Sequence, residues 1–209
     1  LSDARIVVEI DGRQYQGTSV VETQIIDRRG SSLLPPEAPE IVSNSRGEAV
    51  VVDLGQHGFL FGLLQHPPSV GGFNGSQPES VLARCLSPAE RSDRENLLKN
   101  IQALQGECEL SERDRPTLIR FRDTNDPSSA ELIEPERFSE VYGPSAAFVR
   151  ATISITSDPA GEATIDRTLP WLREFENASS TKRFNEILVR IDQRTTLDRL
   201  RISHFKSSG

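Results

Sequence analysis

Methionine is absent from the 209 residues, and only two cysteines, three histidines, two tyrosines and one tryptophan occur. An intact translation product begins with methionine, so the chain is expected to have been processed or trimmed ahead of Leu1. A signal peptide, a membrane anchor or a simple cut would each produce this. No stretch reaches the ~18 apolar residues of a membrane helix, so contact with a membrane is expected only through a segment preceding Leu1. His57, His66 and His204 are scattered, and Cys85 and Cys108 are not spaced as C-x-x-C, which argues against a zinc site. For the cysteines two readings stand side by side: a pair of small buried thiols, or a disulfide closing the helix between them. Export would favour the bridge and a reducing cytosol would exclude it.

Apolar residues are also scarce, at 35%, against 26% charged. They are clustered and patterned, so the composition indicates a modest core with long polar loops, not disorder. The length suits one sizeable domain, taken here as a single α+β domain over residues 1–209. Net charge is −7, from 31 acidic and 24 basic residues, and an acidic chain repels a phosphate backbone; nucleic acid is excluded as the expected partner. Runs such as Glu90-Arg91-Ser92-Asp93-Arg94-Glu95 mix both signs and read as a solvated helix face, with an acidic surface that docks a basic protein as the alternative.

Periodicity and turn chemistry set out the elements. Ile6, Val8 and Ile10 alternate with Val7 and Glu9, Asp11-Gly12 supplies a tight turn, and a return strand runs from Arg13 to about Ile26. Gly17 inside it marks a bulge or a close backbone approach. Residues 28–47 read as a long polar loop. Residues 49–54 and 59–64 form a second hairpin around Gly55-Gln56-His57-Gly58, and their near-continuous apolarity predicts strands covered on both faces, at the centre of the core. After a loop over 65–79 comes a short helix near 80–86. Ser87-Pro88-Ala89-Glu90 is a capping box opening a helix whose apolar stripe is Leu97, Leu98, Ile101 and Leu104, with a stop at Gly106 and Glu90–Arg94 and Glu95–Lys99 pairs on its outer face.

Residues 117–122 and 131–133 read as strands joined by the Asn125-Asp126-Pro127-Ser128 turn. Pro135 opens a short helix carrying Phe138, Val141 and Tyr142. Over 147–156 alternation predicts Ala147, Val149, Ala151, Ile153 and Ile155 inward, and Arg150, Thr152 and Ser154 outward. Leu169-Pro170-Trp171-Leu172 is expected to pack on the sheet. A helix over 181–191 is favoured over a strand at 187–191, and residues 202–205 read as a final edge strand. The expected architecture is therefore α+β: an antiparallel sheet built from the two hairpins and the 147–156 strand, with helices packed on it.

Chemistry is hard to find in this pattern. Gly143-Pro144-Ser145 has only the beginning of a nucleophile elbow, and Gly17-Thr18-Ser19 lies inside a strand. Residues 71–76 are glycine-rich but no lysine follows them. The Asp123-Thr124-Asn125-Asp126 segment lacks a calcium loop's glycine and terminal glutamate. Asn74-Gly75-Ser76 and Asn177-Ala178-Ser179 match the short glycosylation pattern. Asp53, His57 and Asp123 are the residues a hydrolase with an unfamiliar site would use; turn capping is the competing reading. No catalytic, cofactor-binding or metal residue is assigned.

Several strings together resemble a known group. Gly17-Thr18-Ser19-Val20, residues 47–54, Arg120-Phe121-Arg122-Asp123, Asp126-Pro127-Ser128, Tyr142-Gly143-Pro144 and Leu169-Pro170-Trp171-Leu172 occur in an order similar to that of an uncharacterised proteobacterial group with an N-terminal anchor or signal segment. The resemblance covers most of the chain. It implies an envelope location and carries over no catalytic residue. The function expected from all this is a non-enzymatic accessory or interaction domain on the periplasmic side of a bacterial membrane, with a protein partner such as a membrane complex. A hydrolase or a small-ligand-binding envelope protein is the alternative.

Overall fold

An apolar run buried at Ile6, Val7 and Val8 and a two-residue turn build the first hairpin, β1 (Ser2–Ile10) and β2 (Arg13–Asp27). Asp11 and Gly12 both take positive φ, 52° and 72°, and Ile10 pairs with Arg13 across them. The structure, a computed structural model, describes residues 1–27, 41–63, 78–93, 95–161, 164–173 and 205–208. The segment expected as a polar loop over 28–47 is corrected at its end: Ile41–Glu48 is a strand, β3, antiparallel to β2 from Asp27↔Ile41 to Glu22↔Arg46. Its sequence is too polar to show alternation, and what makes it a strand is its ladder to β2 on one side and to Lys206–Ser208 on the other. Residues 28–40 lie outside the described set.

At Ala49 the chain leaves that sheet and starts a second hairpin, β4 (Val50–Asp53) and β5 (Phe59–Gly62), joined by a 3-10 turn at Gly55–His57. The loop expected over 65–79 falls outside the described residues except at its end, where α1 (Pro78–Cys85) begins.

The single helix expected after Ser87 is two, α2 (Pro88–Ser92) and α3 (Leu97–Gln102). The capping box is present: the Ser87 hydroxyl accepts from the Glu90 N–H, and a Glu90 carboxylate oxygen accepts from the Ser87 N–H at 3.0 Å. The break follows from Asp93, whose carboxylate accepts the Asn96 N–H at 3.2 Å and the Asn96 side-chain amide at 3.0 Å. A side chain that satisfies the backbone locally competes with the helix ladder. Glu95 therefore lies outside the helix, and the expected Glu95–Lys99 pair does not form; Lys99 reaches Asn96 instead.

Beyond lie β6 (Cys108–Glu109), β7 (Leu118–Phe121), β8 (Ala130–Ile133), α4 (Phe138–Tyr142), β9 (Ala147–Ile155), α5 (Thr164–Thr168) and β10 (Lys206–Ser208). One expectation for β9 is overturned in its first half. Val7 pairs with Arg150 but Val8 with Phe148, so Val149 is an extra residue in a β-bulge. The bulge reverses the phase. Phe148 packs on the core, while Ala147 and Val149 are exposed. Thr152, expected outside, is buried between its register neighbours Arg5 and Glu109. The edge strand described here is Lys206–Ser208, which begins four residues after the expected start and shares no residue with the expected 202–205; residues 202–204 and the helix expected over 181–191 are outside the described residues.

The class is α+β. All pairings are antiparallel, but the two hairpins fall in different sheets: one of six strands ordered β10-β3-β2-β1-β9-β6, and one of four ordered β4-β5-β7-β8. The second sheet is the middle layer. Val50, Val52 and Leu60 enter the larger core with Ile6, Val8 and Ile153, under α1, α3 and α4. Val51, Phe59 and Phe61 enter the smaller core on the opposite face, with Ile165, Leu169, Leu172 and Phe205. Burial on both faces is what the continuous apolarity of this hairpin required. Rings finish the smaller core: Phe121 lies 5.6 Å from Phe61 and 5.7 Å from Trp171, both edge-on.

Candidate functional site

The sequence candidates gather at one end of the second sheet. Asp53 pairs with Phe59 at the end of the first hairpin, and the antiparallel register through Phe61↔Ile119 and Phe121↔Ala130 brings the β7–β8 turn to the same end. Each carboxylate is spent within its own turn. Asp53 accepts the Gly55 N–H at 2.8 Å. Asp123 accepts the Asn125 N–H at 2.9 Å and its side-chain amide at 3.2 Å. Asp126 accepts the Ser128 N–H at 2.9 Å and its hydroxyl at 2.7 Å. These are Asx turns. Trp171 fastens the turn from outside the sheet, its Nε1–H donating to the Thr124 carbonyl at 3.0 Å. His57 is half-buried and meets its neighbour Gln56 at 3.5 Å. Asp53 and Asp123 are exposed, and among the described residues this end of the sheet is a set of built turns.

Ser145 also has a carboxylate partner: its hydroxyl donates to Asp11 at 2.5 Å, latching the loop before β9 to the β1–β2 turn. Sequence reasoning missed this contact because 134 residues separate the two. The pair is exposed and acts as a latch. His66, His204, the 71–76 segment and both glycosylation patterns lie outside the described residues. Among the described residues, no three His, Cys, Asp or Glu side chains are grouped to hold a metal ion.

Two concavities flank β1. The first, of about 90 Å³, lies between the sheets, with Ile6, Val50, Gly62, Val81, Leu110 and Ile153 on its walls. Its polar edge is already engaged. The Ser19 hydroxyl donates to the Glu48 carbonyl at 2.6 Å, and the Glu48 carboxylate accepts the Thr164 and Ile165 N–H groups at 3.0 and 3.2 Å. Asp114 pairs with Arg84 at 2.5 Å and accepts the Ser111 hydroxyl at 2.8 Å. Beside this edge Arg5 pairs with Glu107 at 2.8 Å and reaches Asp3 only at 3.9 Å. Burial pushes the Asp3 carboxyl above its ordinary value; Glu107 and Asp158 add to the rise, and Arg5 opposes it.

The second concavity, of about 190 Å³, opens between the helices and the end of the first sheet. Leu82, Leu98 and Ile101 form one wall, and Leu1, Val21 and Ile155 the other. The Cys85–Cys108 disulfide, with Cα atoms 6.0 Å apart, closes the loop that carries α3 and holds the helical wall against β6. The sequence left the bridge open; the structure resolves it in favour of the disulfide.

No protein-family model, curated protein or solved structure matches the chain.

Proposed function

We propose that the chain is a non-enzymatic accessory or interaction domain on the periplasmic side of a bacterial membrane, working as a subunit or partner of a membrane protein complex. The observation that carries this reading is the use of its polar side chains. Asp53, Asp123 and Asp126 close their own turns, and Glu48 and Asp114 close the edge of the inner cavity. Acid–base chemistry needs a carboxylate or imidazole within reach of a substrate proton, and these groups are committed elsewhere. Both concavities, at about 90 and 190 Å³, are below the ~300 Å³ at which pockets for drug-sized ligands begin. Recognition by surface and loop follows more naturally from such a body than turnover in a cleft.

The Cys85–Cys108 bridge supports the location, since disulfides persist in oxidising compartments. No helix among the described residues is long and apolar enough to cross a membrane. The test is cross-linking in intact cells followed by affinity purification from native membranes, with thiol labelling in parallel. One membrane protein recovered at equal stoichiometry, with Cys85 and Cys108 unlabelled before reduction, is the expected result. Failure to recover a stoichiometric partner, or labelling of both thiols in the cell, would overturn the reading.

A further inference from the structure

We propose that the Cys85–Cys108 bridge is a redox switch: a protein dithiol reduces it, and the excursion carrying α2 and α3 then opens away from the two sheets. This goes beyond the interaction reading and does not rest on it. The first argument is how lightly the excursion is held. Among the described residues from 87 to 107 only Ile101 is buried, with Leu97 and Leu104 packed partly against the larger core. α2 buries nothing. The polar contacts are internal: the Ser87–Glu90 box, the Asp93–Asn96 cap, and the Asn100 amide donating to the Glu90 carbonyl at 3.1 Å. Among the described residues, one ion pair, Glu107 to Arg5 at 2.8 Å, joins 87–107 to anything beyond 86–108. A segment with so little buried apolar contact opens at low cost once its clasp is cut.

The second argument is that both anchors have their own attachments. Upstream, α1 buries Val81 and Leu82, Leu86 follows them into the larger core, and Arg84 pairs with Asp114. Downstream, Cys108 pairs with Ile153 in β9, and the Leu110 N–H donates to the Ala151 carbonyl at 2.8 Å. Gly106 supplies a pivot beside the second anchor: it takes φ 75°, and nothing lies within 4 Å of where a Cβ would stand. Opening therefore frees the chain between two fixed points. It withdraws Leu97, Ile101 and Leu104 from the larger core and leaves the strand ladders in place.

The third argument is access. Both cysteines are half-buried and not sealed inside the core, so an attacking thiolate can reach the bridge. The thiolate of a dithiol attacks one sulfur, the Cys85–Cys108 bond breaks, and a mixed disulfide forms. The second thiol of the reductant then displaces the remaining cysteine. The reductant leaves as a disulfide, having given two electrons, and its two protons end on Cys85 and Cys108. A disulfide oxidant reverses the exchange and closes the excursion.

The experiment treats the intact oxidised chain with dithiothreitol, without denaturant, and follows amide hydrogen exchange by mass spectrometry. Both thiols should become titratable, and a substoichiometric amount of thioredoxin, a protein dithiol, should speed this at least tenfold. In the reduced chain, exchange over 87–107 should quicken at least tenfold while β1, β2 and β9 stay within twofold of their oxidised rates. Reoxidation should restore slow exchange. The double variant Cys85→Ser, Cys108→Ser should show the open pattern with no reductant and should not respond to one. A bridge that resists reduction until denaturant is added, no acceleration by thioredoxin, or unchanged exchange in α2 and α3 after reduction would each overturn the proposal. So would quickening that spreads to β1 and β9, which marks a bridge that only holds the fold together.

Discussion

Gly17 in β2 lies so close to Val51 in β4 that a Cβ on the glycine would overlap the Val51 carbonyl. The two sheets meet here backbone to backbone, with no side-chain layer between them. Replacing Gly17 by Ala must push the sheets apart or shift a strand that pairs with β1 over residues 13–21 and with β3 over residues 22–27. Gly17→Ala should lower the unfolding free energy by about 2–3 kcal/mol. Gly161→Ala, where nothing lies within 4 Å of the added carbon, is the control. Urea denaturation measures both; equal midpoints for the two variants would refute the account.

The close approach at Gly17 was foreshadowed in the sequence by a glycine in a strand, although its partner was not. Features carried by near neighbours were legible in the same way: the Asp11-Gly12 turn, the Ser87–Glu90 capping box, the two-faced apolarity of 49–64. What escaped depends on long-range pairing or on local competition. The β3 strand is held by its ladder to β2 and carries no apolar alternation. The bulge at Val149 exists because of the register between β1 and β9, which a single strand's pattern cannot encode. Asp93 ends α2 by capping Asn96, a choice invisible to a count of helix formers. The candidate site was read least well. Asp53, His57 and Asp123 do share one end of a sheet, but the second concavity is assembled from five separate stretches of chain, and no motif announces it.

The Cys85–Cys108 bridge closes a loop with a sequence separation of 23, and the denatured chain loses the corresponding freedom. The double variant Cys85→Ala, Cys108→Ala should be less stable by about 3 kcal/mol. Amide exchange should quicken first in α2 and α3, the helices inside the loop. A double variant with wild-type stability and unaltered exchange would show that the bridge does not hold this wall.

Tyr142 is buried against Phe138, their rings 4.6 Å apart, and Arg120 lies over its ring at 5.5 Å, close enough to oppose the effect of burial on the phenol although its hydroxyl makes no well-aligned hydrogen bond among the described residues. Burial pushes the phenol up to about 12 from its ordinary 10.0. The folded state thus favours the neutral form: the stability linked to this proton is complete below about pH 10 and is lost as pH rises through about 12. Tyr142→Phe removes an unsatisfied polar atom, so it should leave stability near neutrality within about 0.5 kcal/mol or raise it slightly. At alkaline pH the variant should outlast the wild type. Denaturation midpoints across that range test this, and a large loss at neutral pH would mean the hydroxyl has a bonding role.

Asp3 offers the complementary test at acid pH. One of its carboxylate oxygens is buried without a hydrogen bond, and Arg5 leans towards Glu107 instead. Burial, then repulsion from Glu107 and Asp158, raises its pKa above the ordinary 3.8 despite Arg5. The sign follows from the direction of the shift. A raised carboxyl pKa means the fold prefers the protonated acid, so this contribution to stability is present below 3.8 and is lost as pH rises through the folded value. At neutral pH the charged Asp3 is therefore a liability. Asp3→Asn keeps the shape and removes the charge, while Arg5 retains Glu107. The variant should unfold at a higher denaturant concentration than the wild type near pH 7, and the advantage should vanish near pH 3. A variant less stable at neutral pH would show that the Asp3–Arg5 attraction outweighs the cost of burial.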